Sequence, residues 1–112
     1  MTVLRLYAAI FLVVLTVYTG IVIANHGATL VPIFFGDMTA MTWPGQFNLD
    51  FMGFLILSTL WVLWRNEFKP IGWALAPFAL FGGMMFLTIY LLVLSVRVPD
   101  LKTLLIGEAR AS

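Results

Sequence analysis

Long apolar stretches alternate with short polar breaks along this chain. Residues 4–24 carry no charge after Arg5, residues 49–64 carry one acid near their start, and residues 71–96 carry no charge. A helix of about 20 mostly apolar residues can cross the ~30 Å hydrocarbon layer of a bilayer. The pattern therefore predicts an all-α membrane protein with three transmembrane helices.

Composition strengthens this prediction. Hydrophobic residues make up 62% of the 112 residues and charged residues only 10%, whereas soluble domains average about 45–50% and about 25%. So few charges cannot cover the surface of a water-soluble fold of this size. We expect one integral membrane domain over residues 1–112, without a second domain.

The first apolar run, which follows Arg5, is longer than the ~7–15 residues of a signal-peptide core. No small-residue cleavage motif follows it at Asn25 or His26. We interpret it as a retained helix, with a cleaved signal peptide as the alternative.

The longest break covers residues 26–47. Its apolar patch at 30–35 is too short to cross a membrane and is interrupted by Pro32. We expect a long loop or short strand in the headgroup zone, with Trp43 and Phe47 as interfacial anchors. A segment that dips into the bilayer is the alternative, disfavoured because unpaired backbone groups in lipid are costly.

The second and third predicted helices are joined by a short polar turn at residues 65–70. So short a connection predicts an antiparallel hairpin. Asn48 is a candidate N-cap of the second helix, and Asp50 would lie in its first turn, where the helix dipole favours a negative charge.

The third helix should be kinked at Pro77, because proline removes one backbone hydrogen bond from a helix interior. Small residues recur on one face of this helix, and such residues let helices approach closely in lipid. The predicted packing face consists of Gly72, Ala76, Ala79 and Gly83.

Residues 97–112 form a mildly amphipathic tail, which we expect to be interfacial or disordered. Three crossings would place the N-terminus and the 65–70 turn on one side and this tail on the other. Lys and Arg tie at three on each side. Lys and Arg in a short turn have the strongest influence on membrane orientation and favour the cytoplasmic side. We therefore expect a cell (inner) membrane protein with a cytoplasmic N-terminus.

One group of polar and aromatic residues should gather near one membrane face. It could line a site for a lipid headgroup, a quinone or a pigment ring. The alternative is that these side chains satisfy one another and the loop backbone. The candidate site consists of Asn25, His26, Trp43, Gln46, Asn48 and Asp50.

Metal binding and catalysis have little support. His26 is the only histidine, and Asp37 and Asp50 lie far from it in sequence, which makes a poor ligand set. There is no cysteine, no nucleophile–base motif and no phosphate loop. We expect no metal site, no catalytic residue, no enzymatic activity and no nucleic-acid partner. No cofactor is required by the sequence.

A resemblance covers residues 47–95. Asn48-Leu49-Asp50, Trp64-Arg65-Asn66-Glu67 and Gly72-Trp73, followed by Tyr90, resemble a bacterial family of small three-helix membrane proteins of unknown function. The resemblance implies a fold and no activity, so no functional residue follows from it.

Three functional hypotheses remain. The first is an accessory or scaffold subunit, packed against other membrane subunits or a second copy of itself. The second is a homo-oligomeric small-solute or proton-coupled transporter that uses Asp50, because a carboxylate near the membrane is often functional. The third is a binder of a lipid, quinone or carotenoid between the second and third helices.

Overall fold

The polar breaks of the sequence set the helix boundaries. The computed structural model describes residues 1–111. It is 87% helical, and no strand occurs in that range. Ser112, the last residue of the predicted tail, lies outside the described residues. The helices are α1 (Thr2–His26), α2 (Leu30–Ala40), α3 (Trp43–Arg65), α4 (Pro70–Arg97), α5 (Leu101–Ile106) and α6 (Glu108–Ala111).

Helices α1, α3 and α4 are each long and apolar enough to cross a membrane. The predicted all-α membrane fold is therefore confirmed. The start of α3 differs from the prediction, because the helix begins at Trp43, with Thr42 extended before it and Pro44 in its first turn. Asn48 is consequently not an N-cap, and Asp50 does not lie in the first turn.

Most of the predicted loop 26–47 is helical, which corrects the expectation of a loop or short strand. Pro32 lies in the first turn of α2, where a backbone N–H has no helical partner and a proline costs little. Helix α2 folds back onto the start of α3, and Gly45 is buried between them. A β-carbon at Gly45 would lie 2.8 Å from the carbonyl carbon of Asp37.

Helix α4 reverses direction at Gly83, where the backbone is non-helical with φ 55° and ψ −136°. The amide Nδ2 of Asn66, before the helix, donates to the Tyr90 hydroxyl at 2.9 Å. In a straight helix, at ~1.5 Å per residue, Tyr90 would lie about 30 Å from Pro70. We call residues 70–82 the outgoing half and residues 84–97 the returning half.

The break in α4 lies at Gly83, six residues after Pro77, where the sequence predicted a kink. The backbone remains helical at Pro77 and departs from helical geometry at Gly83. Proline only removes one hydrogen bond, whereas a positive φ combined with this ψ requires a residue without a β-carbon.

Helix α1 runs beside the returning half in the opposite direction. The Arg5 guanidinium donates to the carbonyl of Ser95, and Ala8 is buried against α4. The start of α1 therefore meets the end of α4. A small core forms there around Leu94, Val98 and Leu104, and Met1, Leu4, Trp61, Tyr90 and Leu91 pack against it.

The tail is helical and folds against the end of α3. Asp100 caps α5 by accepting a hydrogen bond from the Thr103 N–H at 2.8 Å. The Arg65 Nε donates to the carbonyl of Leu104 at 2.6 Å. The tail therefore lies beside the 65–70 turn, and the expectation that it lies at the other end of the molecule is wrong, because α4 returns to where it began.

Candidate functional site

Asn48 holds α2 against α3. Its amide Nδ2 donates to the carbonyl of Phe34 at 3.1 Å and lies 3.5 Å from Asp37 Oδ2. Both acceptors belong to α2. This bond satisfies a half-buried amide and positions the two helices, so Asn48 has a structural role in this arrangement.

The other members of the predicted polar site are exposed: Asn25, His26, Trp43, Gln46 and Asp50. Among residues 1–111, no side-chain hydrogen bond joins any two of the six predicted residues, and no cluster of His, Cys, Asp and Glu could hold a metal. The Trp43 ring instead packs beside Phe47, with centroids 6.3 Å apart.

The small-residue face of α4 is used inside the chain. Gly72, Ala76 and Ala79 are buried. A β-carbon at Gly72 would lie 3.1 Å from the Asn66 Cβ, so the outgoing half approaches the end of α3 closely. Gly83, the fourth predicted member, does not share this packing face. It lies at the reversal of α4, next to the Phe51 ring.

An apolar groove of about 580 Å³ runs between α3 and the returning half of α4. Its volume falls in the range of about 300–1,000 Å³ typical of small-molecule sites. None of its lining residues is ionisable. They are Phe51, Phe54, Leu55, Leu57, Ser58 and Trp61 of α3, Gly83, Met84, Leu87 and Leu91 of α4, and Leu105 of the tail.

Helical periodicity explains the apolar wall. Phe51, Leu55 and Ser58 are separated by four and three residues, so they share one face of α3. Trp61 closes the end of the groove nearest the tail. Its Nε1 donates to the carbonyl of Leu105 at 2.9 Å, and its ring meets Tyr90 edge to face at 5.9 Å.

Beyond the end of the groove that Trp61 closes, three arginines donate hydrogen bonds to the carboxyl ends of helices. Arg5 donates to Ser95 in the last turn of α4, Arg65 to Leu104 in the last turn of α5, and Arg110 to Trp64 in the last turn of α3. The last four carbonyls of a helix lack helical partners, and the helix dipole makes that end negative. Each guanidinium therefore satisfies a helix terminus.

All six Lys and Arg residues lie at this end of the molecule, which we call the cationic end. Only one ion pair occurs among the described residues, between Lys69 Nζ and Glu67 Oε2 at 3.5 Å. The Arg110 guanidinium stacks 4.2 Å from the Trp64 ring centroid. The cationic end comprises Arg5, Arg65, Lys69, Arg97, Lys102 and Arg110.

The pKa of the Asp100 carboxyl lies below its ordinary value. The largest cause is its hydrogen bond with the side chain of Thr103, followed by the bond to the Thr103 backbone; nearby Lys102 acts in the same direction. The ionised carboxylate is the form that caps α5.

The sequence suggested a lipophilic site between the second and third predicted helices, but it did not identify the lining residues of the groove or the arginine caps. The groove face could have been found from the stripe at Phe51, Leu55 and Ser58. The caps join residues 90, 39 and 46 positions apart, and no local pattern gives such pairings. Comparison with protein-family models, curated proteins and solved structures found no match for this chain.

Proposed function

We propose that this protein binds a membrane lipid, with an apolar chain in the groove between α3 and α4 and an anionic headgroup at the cationic end. The groove is the observation that carries the proposal. Its lining is almost entirely apolar, and a hydrocarbon chain needs no polar partner there. Of the three initial hypotheses, the lipophilic binder has the most support from the geometry.

The headgroup position follows from Arg65. It lies one helical turn beyond Trp61, on the face of α3 that lines the groove. Arginine has five N–H donors, and in the part of the chain that the structure describes only the Nε of Arg65 is bonded, to Leu104. The remaining donors suit a phosphate, since a guanidinium matches its geometry with two parallel hydrogen bonds.

The test compares lipids that co-purify with the protein from mild detergent, measured by native mass spectrometry. Leu87→Trp fills the groove, whereas Val93→Trp places the same tryptophan side chain at an exposed position of the returning half that does not line it. We expect Leu87→Trp to lose bound lipid and Val93→Trp to retain it. Equal lipid in both variants would contradict the proposal.

A second variant tests the headgroup separately. Arg65→Gln should reduce the preference for anionic over zwitterionic lipid while total bound lipid stays similar, because the groove is unchanged. If the preference is unaltered, Arg65 does not contact the headgroup.

An accessory-subunit role is a second candidate, supported by α1. Residues 20–26 are exposed on every face. Thr16, Gly20 and Ala24 follow one another at intervals of four, a spacing that favours close helix contact in lipid. Gly20→Leu should then reduce co-purification of a partner subunit or a second copy, whereas Val14→Leu, on another exposed face, should not. Equal recovery would exclude this surface.

The carrier hypothesis gains no comparable support. Asp50 is exposed and is not among the residues that line the apolar groove. We also propose the cell (inner) membrane as the location, with the N-terminus in the cytoplasm, because Arg5 and the 65–70 turn lie at the cationic end.

A further inference from the structure

We propose that the cationic end is a surface for the anionic cytoplasmic leaflet, and that α4 enters and leaves the bilayer from that side. The two ends of α4 would then face one compartment, together with α1's start and the tail. This inference does not depend on whether the groove holds a lipid.

The first support is the length of each half of α4. The outgoing and returning halves are about 20 Å long at ~1.5 Å per residue, shorter than the ~30 Å hydrocarbon layer. The Asn66–Tyr90 hydrogen bond and the Trp61–Tyr90 ring contact bring the returning half back to the starting level. A straight α4 of 28 residues would be about 42 Å long and would break both contacts.

The second support is charge. The cationic end holds all six Lys and Arg with three acids, Glu67, Asp100 and Glu108, which gives +3. The other half of the molecule holds Asp37 and Asp50 and no Lys or Arg, which gives −2. The cytoplasmic leaflet is anionic and attracts basic residues near the membrane. Three crossings would place three Lys and Arg side chains on each side of the membrane. With α4 reversed, all six lie on one side and none lies on the other.

The third support is what surrounds these cations. The three capping guanidiniums donate to backbone carbonyls, which carry no net charge. Their positive charge is therefore not neutralised by these bonds and can attract lipid phosphates outside the protein. Three aromatic side chains at the same level, Trp64, Phe68 and Trp73, are exposed. Aromatic rings of this kind anchor proteins at the headgroup level.

The fourth support is the contact of α3 with one side of the reversal. Irregular backbone at membrane depth is tolerated where protein covers it. A β-carbon at Gly83 would lie 3.1 Å from the Phe51 ring and 3.4 Å from Leu55 Cδ2. The apex of α4 therefore rests against α3.

The absence of cysteine makes the test direct. Single cysteines are introduced at exposed positions by Thr2→Cys, Leu101→Cys, Met41→Cys and Phe81→Cys, and cells are treated with a membrane-impermeant maleimide before or after permeabilisation. We expect Met41→Cys to react in intact cells. Thr2→Cys and Leu101→Cys should react only after permeabilisation, and Phe81→Cys should resist the reagent in both states.

Two results would overturn the inference. If Leu101→Cys reacts in intact cells together with Met41→Cys, α4 crosses the bilayer. If Phe81→Cys reacts in intact cells, the reversal is not inside the membrane. Each variant is first checked for retention in the alkali-washed membrane, and the full chain is used throughout.

Discussion

Replacing Gly83 with alanine tests the reversal of α4. The φ of 55° and ψ of −136° at this position are adopted readily only by glycine. Alanine also favours continuation of the α-helix through this point. The substitution should therefore destabilise the reversed form of α4 while leaving every hydrogen-bonding side chain in place.

The magnitude has two parts. A residue with a β-carbon in a sparsely populated backbone region costs about 1–3 kcal/mol. The new β-carbon would lie 3.1 Å from the Phe51 Cζ, which is the end of a side chain that can shift by a few tenths of an ångström, so this contact adds little. We expect Gly83→Ala to lower the free energy of unfolding by about 1–3 kcal/mol.

Gly53→Ala is the matched control. Gly53 lies within α3, and a β-carbon there would meet no atom within 4 Å. Alanine in a helix interior is favoured over glycine by about 1 kcal/mol, so this variant should be neutral or more stable. The two variants should then differ by roughly 1–4 kcal/mol.

The assay is reversible unfolding in mixed micelles with rising dodecyl sulfate, followed by tryptophan fluorescence and helical circular dichroism. A Gly83→Ala protein as stable as Gly53→Ala would refute the reasoning, because the reversal would then not require glycine.

Three further predictions concern other contacts. Gly45→Ala places a β-carbon against the backbone of α2 and should destabilise the protein by about 1–3 kcal/mol, with faster hydrogen exchange in α2. Tyr90→Phe removes one acceptor from the Asn66 amide, which keeps its bond to the Val62 carbonyl, so the unfolding free energy should fall by only about 0.5–1.5 kcal/mol. The Asp100 cap stabilises α5 above the ordinary carboxyl pKa and is lost as pH falls through its lowered pKa, so the protection of α5 amides from exchange, measured relative to their intrinsic exchange rate at each pH, should fall on acidification.

Each of these has its own control. Gly36→Ala, with open space around it, should leave exchange in α2 slow. Tyr90→Leu should cost more than Tyr90→Phe, because it also removes the ring contact with Trp61. Asp100→Asn keeps a capping group without a titratable proton; an unchanged pH response in that variant would show that another group is responsible.

The spans were predictable because one physical requirement, the thickness of the hydrocarbon layer, fixes the length of an apolar run. Helix α2 was missed because Pro32 was treated as a helix breaker. Its effect depends on its position within the turn, and in the first turn proline removes no helical bond. The fit between Gly45 and α2 depends on tertiary packing that adjacent residues do not encode.

The reversal at Gly83 was not predicted because a glycine at this position is compatible with two interpretations. A glycine four residues from Ala79 fits a packing face as well as it fits a turn, and only tertiary contacts decide its φ. Because the reversal was missed, the tail was expected at the wrong end, and the cations were divided equally between two sides. The candidate polar residues lie on α1 and α3. Helix packing, which sequence periodicity does not give, determines whether such residues meet.

The three arginine caps also impose an order on biosynthesis. A nascent chain emerges from its N-terminus onward, so Arg5 is already present when α4 is made and can close that helix as soon as it returns. The cap of α3 must wait, because Arg110 is synthesised 46 positions after Trp64. Until then the carboxyl end of α3 has no guanidinium on its Trp64 carbonyl, so this helix end is completed only after the tail has been synthesised.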